Sequence, residues 1–388
     1  LYFYSWIKIY DQKIIDLLLF NIFYKKLMQL SVKVMVEQKI MRNLKTDLAL
    51  FSLLIVLIAG SNSVFASKLS EAANSMAPGE WRSFDTQGFT RDLVNACGAA
   101  TFITDYARDA VWNPYSREVH FVGQGHYACQ KHIRYNENDN TWYEVSRAGY
   151  ESVGIGHAYE HNTIDPATGT IYYAKYNSRV ILKYENGSWS SLPDFPDSPA
   201  ITKAIEYFPE MNGLIVVDPE AGIWLFSEIT KNWKKLSNPV EMGPYHVFAE
   251  YSPVHKVIIF GGGNGSTKVN KLDANGNVFI DNIANSPGEL GTRHDQGLVQ
   301  ADTSTGNFLA FMSDNTQYVY DVPSNTWSLV GNKPISIAST VSAAIPEYNV
   351  ILFASADDGV HLYKLGASSG TLPPAPTIPV APTNLKIK

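Results

Sequence analysis

The chain has 388 residues, 45% hydrophobic and 12% aromatic, enough to bury a large core. Charged residues make up 18%, the net charge is −6 and the pI lies near 5.9, which argues against a protein that tracks nucleic-acid phosphates with a basic stripe. Twenty-seven glycines and twenty prolines, set between short apolar runs, predict an all-β chain with many turns.

Residues 1–40 open without Met and are crowded with Ile, Lys, Tyr, Phe and Leu. They read as sequence upstream of the true start, with a basic-apolar membrane segment as the alternative. Met41 opens a different pattern: Arg42 and Lys45, an apolar run from Leu48 to Ala59, then Val64-Phe65-Ala66. A basic stretch, an apolar stretch and a small-x-small site describe a secretory signal peptide over 41–66, cut after Ala66. A membrane anchor is the alternative, but its apolar core falls short of the ~20 residues that span a bilayer. The expected location is therefore outside the cell or on its surface. Membrane contact would come only through the export signal or through further C-terminal modules. Export permits Cys97 and Cys129 to pair, although two buried free thiols fit the sequence equally; no CxxC or zinc spacing is present.

From Gly79 onward the chain repeats. Trp142, Trp189, Trp233 and Trp327 are separated by 47, 44 and 94 residues, and the beat between the last two falls at Val278. Pro114, Pro166, Pro209, Pro253, Thr303 and Pro346 mark an equivalent turn in each repeat. Each unit reads as four strands, a to d, with period-2 alternation and β-branched or aromatic enrichment. Units cover about 105–146, 157–193, 200–237, 245–281 and 294–330, and a sixth begins at Thr340. The sixth lacks its Trp strand, which stands at the other end as Gly79-Glu80-Trp81-Arg82-Ser83-Phe84. A ring of sheets leaves edges unless its two ends pair. The expected fold is thus a six-bladed β-propeller of four-stranded blades, closed by an N-terminal strand that completes the last blade. Residues 85–104 leave room only for a degenerate piece of a seventh.

Over residues 79–366 the chain resembles the kelch/galactose-oxidase-type propeller superfamily. The resemblance rests on the double glycine of Val257–Gly263 and on the aromatic-to-Trp spacing of Tyr135/Trp142, Phe226/Trp233 and Tyr320/Trp327. It implies architecture. Copper-radical chemistry would need a Cys–Tyr crosslink with tyrosine and histidine ligands, and neither Cys97 nor Cys129 sits in such a context. Residues 367–381 form a Pro-rich linker, and 382–388 resemble the first strand of a fibronectin type III-like module.

In a propeller, strand a lines the central channel, and the d-to-a and b-to-c connections crowd one mouth. Alignment on the Pro turns sets Asp105, His157 and His294 at one level, Tyr159 and His246 at the next, and Arg108, Glu160 and Lys203 at a third. Asp105, Arg108, Tyr159, Lys203, His246, Arg293 and His294 are the expected ligand-binding residues. On "HAYEHN", a strand would put His157, Tyr159 and His161 on one face. His126, His157, Tyr176 and Arg179, from units one and two, are the expected catalytic set if the protein is an enzyme. A polyuronate lyase is the sharpest such reading, since it needs a cation at the carboxylate and a Tyr or His to take the C5 proton. Two other readings stand beside it. The histidines could simply bond across the channel, or His157, His246 and His294 could hold a metal. The sequence requires no cofactor. It predicts a secreted or surface propeller that binds an extracellular glycan or protein at this mouth, with a polysaccharide lyase as the alternative.

Overall fold

The structure describes residues 25–31, 66–98, 100–126, 129–146, 156–197 and 203–366. Apart from residues 25–31 and Ala66, the segments read as upstream extension, signal peptide, linker and C-terminal module lie outside them. The chain divides into two units, Leu1–Phe65 and Ala66–Lys388. In the first, residues 25–31 are helical with exposed side chains. Among the described residues no helix is long and apolar enough to cross a membrane.

In the computed structural model, the second unit opens with α1 (Lys68–Asn74), capped by the Ser67 hydroxyl accepting from the Ser70 amide. Leu69 and Ala73 bury their side chains in the core beneath it. Next comes β1 (Trp81–Ser83), then α2 (Arg91–Val94). Blade one is β2 (Val111–Asn113), β3 (Glu118–Gln124), β4 (Gln130–Asn136) and β5 (Thr141–Glu144). Blade two is β6 (Asn162–Asp165), β7 (Thr170–Ala174), β8 (Ile181–Glu185) and β9 (Ser188–Ser191). Blade three is β10 (Ala204–Phe208), β11 (Gly213–Asp218), β12 (Gly222–Ser227) and β13 (Asn232–Ser237). Blade four is β14 (Val247–Ser252), β15 (Val257–Gly262), β16 (Val269–Asp273) and β17 (Val278–Phe279). Blade five is β18 (Leu298–Ala301), β19 (Phe308–Phe311), β20 (Thr316–Asp321) and β21 (Thr326–Asn332). Blade six joins β22 (Thr340–Ile345), β23 (Val350–Ser355) and β24 (Gly359–Lys364) to β1.

The innermost strands touch in a closed circle, β2 to β6, β10, β14, β18, β22 and back to β2. Each blade is twisted and apolar on both faces, so cores form between neighbouring blades, as in the cluster of Phe208, Ile215 and Phe260. The repeating tryptophan has a definite task. On every blade except the fourth, it stands opposite an aromatic residue of the third strand: Tyr135↔Trp142, Tyr184↔Trp189, Phe226↔Trp233, Tyr320↔Trp327 and Tyr363↔Trp81. Ring centroids in these pairs lie 4.9–5.5 Å apart, inside the range where cross-strand aromatic pairs stabilise a sheet. In blade four Leu272↔Val278 fills the same place, and the outer strand shrinks to two residues. The double glycine is steric. Gly262 has φ +61, and a Cβ there would lie 2.2 Å from the Leu290 carbonyl oxygen.

The segment 85–104 contributes no further blade. It carries α2, and Gln87 bridges to Thr141 at the outer edge of blade one. A Cys97–Cys129 disulfide, with Cα atoms 5.6 Å apart, ties the end of this segment to the β3–β4 connection.

Candidate functional site

Each connection from one blade to the next must turn sharply into its innermost strand. In four connections the turn is made by a residue other than glycine in the left-handed region: Tyr106 (φ 56), Tyr159 (φ 32), His246 (φ 65) and Ser339 (φ 49). Side chains rarely adopt this backbone, and such strain concentrates where a structure holds a group in place. Three of the four carry rings, and those rings meet at one end of the channel.

Tyr106 stands among four imidazoles. Its ring centroid lies 4.7 Å from that of His157, 5.3 Å from His126, 5.4 Å from His246 and 5.8 Å from His294. Tyr159 stacks on His157 at 4.9 Å and meets His246 edge-on at 4.8 Å. Tyr176 lies 5.5 Å from His157 and 5.9 Å from Tyr159. Tyr245, 42% exposed, sits beside His246 on the rim. The ring nitrogens are partly spoken for: His126 Nε2 and His157 Nε2 share a hydrogen bond, and His246 Nδ1 is 2.9 Å from Thr292 Oγ1. His157 Nδ1 is buried with no hydrogen-bond partner among the described residues.

Burial sets the electrostatics. It lowers His157 to about 3, with the neighbouring His126 and His246 adding to the effect. It lowers His246 to about 4, helped by Arg293 and Arg108. Burial also pushes the Tyr159 and Tyr176 hydroxyls above the usual phenol range, Tyr159 further through its tyrosine neighbours. Near neutral pH these four rings are therefore uncharged. On the rim Arg293 pairs with Asp295 and lies 3.4 Å from Glu289.

Of the residues expected at the mouth, the structure gathers His126, His157, Tyr159, Tyr176, His246 and His294, with Arg293 beside them. The others do different work. Asp105 accepts from the Phe102 amide at 2.9 Å and from the Ser339 hydroxyl, fixing a turn. Arg108 is wholly buried and donates to the carbonyls of Ile337 (2.5 Å), Arg293 (2.7 Å) and Gly291 (3.2 Å). Lys203 is wholly buried, donates to the Ser178 carbonyl at 2.7 Å, and is lowered to about 8 by burial. Arg179 is exposed and donates to the Phe195 carbonyl at 2.5 Å. The single strand face expected for His157, Tyr159 and His161 does not form. The positive φ at Tyr159 breaks the alternation, and β6 begins only at Asn162. Among the described residues no set of three or more His, Cys, Asp or Glu side chains is arranged to hold a metal ion. The Tyr106 ring lies against His157, His246 and His294, the three imidazoles considered as ligands.

Tyr106 is the residue that sequence spacing misses. It precedes its turn proline by eight residues, where Tyr159, His246 and Ser339 precede theirs by seven. Allowing one extra residue in the first unit would have aligned it with them.

No protein-family profile matches the chain, and no curated protein is found similar to it. Solved structures do resemble it. One is a protein of unknown function from Bacteroides thetaiotaomicron, with TM-score 0.51 and 11% identity over 72% of this chain and 75% of that one. Another is a fungal alcohol oxidase of the AA5 family in complex with copper, with TM-score 0.47 and 10% identity over 74% and 77%. A third is streptogramin B lyase, with TM-score 0.45 and 12% identity over 66% and 78%. At these identities the likeness is one of fold.

Proposed function

We propose that this chain is a secreted or cell-surface kelch-like propeller that binds an extracellular glycan through its tyrosine–imidazole mouth. The observation that carries the reading is the Tyr106 ring set among four imidazoles, with His157 and His246 held neutral by burial. Uncharged rings offer faces for the C–H side of a sugar, and their nitrogens and hydroxyls offer donors and acceptors for its hydroxyl groups. Support for export comes from the signal-like pattern ending at Ala66, from Ser67 serving as the α1 cap, and from a disulfide, which oxidising compartments permit. The double glycine and the aromatic–Trp pairs support a kelch-type lineage.

Uronate elimination is less well served. It asks for a readily ionised base and a cation at the carboxylate. The tyrosine hydroxyls are shifted away from ionisation, and Arg179 is directed to the Phe195 carbonyl.

The test is affinity electrophoresis through gels carrying neutral or uronate-containing polysaccharides, with the ultraviolet absorbance of each mixture followed in parallel. The protein should be retarded in at least one gel, and Tyr106→Ala should weaken that retention about tenfold. Absence of retardation in every gel would refute glycan binding. An absorbance rise that depends on His157 and Tyr176 would make the protein a lyase instead.

A further inference from the structure

The opposite end of the channel holds a second feature. The innermost strands run from the ring-lined mouth towards the Pro turns, and there they enclose a cavity of about 650 Å3. Trp112, Ile164 and Tyr251 contribute to its walls, and Asp109, Glu206 and Glu250 line it as well. A cavity of this size with mostly apolar walls and a few convergent polar groups suits a small organic ligand.

The carboxyl groups have a structural role, but it does not require an ionisable group. The innermost strand of a blade is a sheet edge, and its free N–H groups need acceptors. Glu250 accepts from the Ala301 amide of the next blade at 2.9 Å, and Glu206 takes the Tyr251 amide in the same way. At the matching place in blade two, the Thr163 hydroxyl does this for the Tyr207 amide at 3.0 Å, without any charge. A neutral residue therefore suffices. Glu206 and Glu250 instead join Asp109 and Glu160 in a region where burial, followed by mutual repulsion, pushes Asp109, Glu206 and Glu250 well above the carboxylate range. Ionising carboxyls gathered this closely is costly, and a bound cation would offset that cost.

Two further polar side chains lie beside Asp109, outside the cavity lining. Glu160, 3% exposed, interacts with Asp109. Its Oε2 has no hydrogen-bond partner among the described residues. Ser342, bridged to Asp109 where blade six meets blade one, carries a buried hydroxyl with no hydrogen-bond partner among the described residues. No lysine or arginine is among the residues that line the cavity.

We propose that this cavity binds an organic cation, an amine with an apolar or aromatic body, whose ammonium group sits between Glu206 and Glu250 while its body lies against Trp112 and Tyr251. Glu250 keeps Oε1 for the Ala301 amide and offers Oε2 to the ligand, while Glu206, which takes the Tyr251 amide and accepts from the Thr163 hydroxyl at 3.0 Å, adds its charge beside it. An aromatic wall also favours a cation near the ring faces. The site is separate from the tyrosine–imidazole mouth and does not depend on what that mouth binds.

Titration calorimetry of the intact protein tests this with three probes of one shape: phenethylamine, 2-phenylethanol and 3-phenylpropionate. The amine should bind saturably and at least about tenfold more tightly than the alcohol, and the carboxylate should give no binding. The Glu206→Gln/Glu250→Gln double variant keeps an acceptor for each amide and should lose that preference. Ala344→Leu, which fills cavity space without touching a carboxyl, should weaken the amine even if the double variant fails to fold. Tyr106→Ala should leave amine binding unchanged. Equal affinity for amine and alcohol, no saturable binding of the amine, or full amine affinity in Ala344→Leu would overturn the proposal.

Discussion

Replacing Trp81 with alanine should lower the unfolding free energy by about 3 kcal/mol, the loss expected when a large aromatic is removed from a packed site. β1 has only three residues, paired Trp81↔Tyr363, Arg82↔Leu362 and Ser83↔His361. So short a strand is held mainly by its side chains. The Trp81 ring lies 4.9 Å from Phe353, 4.9 Å from Tyr363 and 5.5 Å from Phe311, joining blade six to blade five. Its removal opens the fourth place of blade six and exposes the β24 edge, where blade six depends on distant chain. Chemical denaturation of the variant measures the effect. Trp327→Ala is a useful reference, because Trp327 lies on an outer strand that follows its partner strand directly in the chain. The Trp81 variant should lose more. Equal losses would mean that closure carries no special weight.

Arg108→Met should cost about 3–5 kcal/mol, the range for removing one partner from a buried charged network. The guanidinium has no exposed surface and sits under the mouth. Its donors reach carbonyls on two inter-blade connections: Gly291 and Arg293 before β18, and Ile337 before β22. These carbonyls have been taken out of water, so losing their donor leaves them unsatisfied. Burial lowers Arg108 to about 10, while Glu160 and Asp295 oppose that shift, so the group stays charged near neutral pH. Arg108→Lys should recover only part of the stability, because one ammonium cannot span the same acceptors as the planar fork. Denaturation midpoints of the three proteins decide the matter. If Arg108→Met is as stable as the parent, the guanidinium is not a clamp, and its earlier reading as a ligand-binding group would return.

How far the molecule could be read in advance depended on the kind of interaction. The blade count and the swapped closing strand were legible because both follow from one repeated cross-strand pair, aromatic opposite tryptophan, whose spacing survives in the chain. The mouth was partly legible: His157, Tyr159 and His246 fall out of alignment on the turn prolines. Tyr106 did not, since one extra residue in the first unit placed Asp105 in register instead. The left-handed backbone at Tyr106, Tyr159 and His246 carries no sequence mark, for none of them is glycine. Arg108 and Lys203 were misleading for a physical reason. Charge at the channel level suggests a ligand, but here the acceptors are backbone carbonyls that only the closed ring brings together. The channel carboxyls do carry a mark in the chain. Thr163, Glu206, Glu250 and Gln300 each stand three residues before the turn position, at Pro166, Pro209, Pro253 and Thr303.

The central claim is an uncharged mouth, and proton titration by NMR of the His157 and His246 rings tests it most directly. Single His157→Gln and His246→Gln variants assign the signals. In unfolded chain an imidazole takes its proton near pH 6.5. Here the midpoints should lie far lower, about 3 for His157 and about 4 for His246. Because the unfolded state binds protons first, each ring should also make folding less favourable as pH falls from about 6.5 towards its folded midpoint. Signals that stay at the neutral-imidazole shift down to pH 5 are the predicted result. Midpoints at or above 6.5 would show that burial does not hold these rings neutral and would contradict the account.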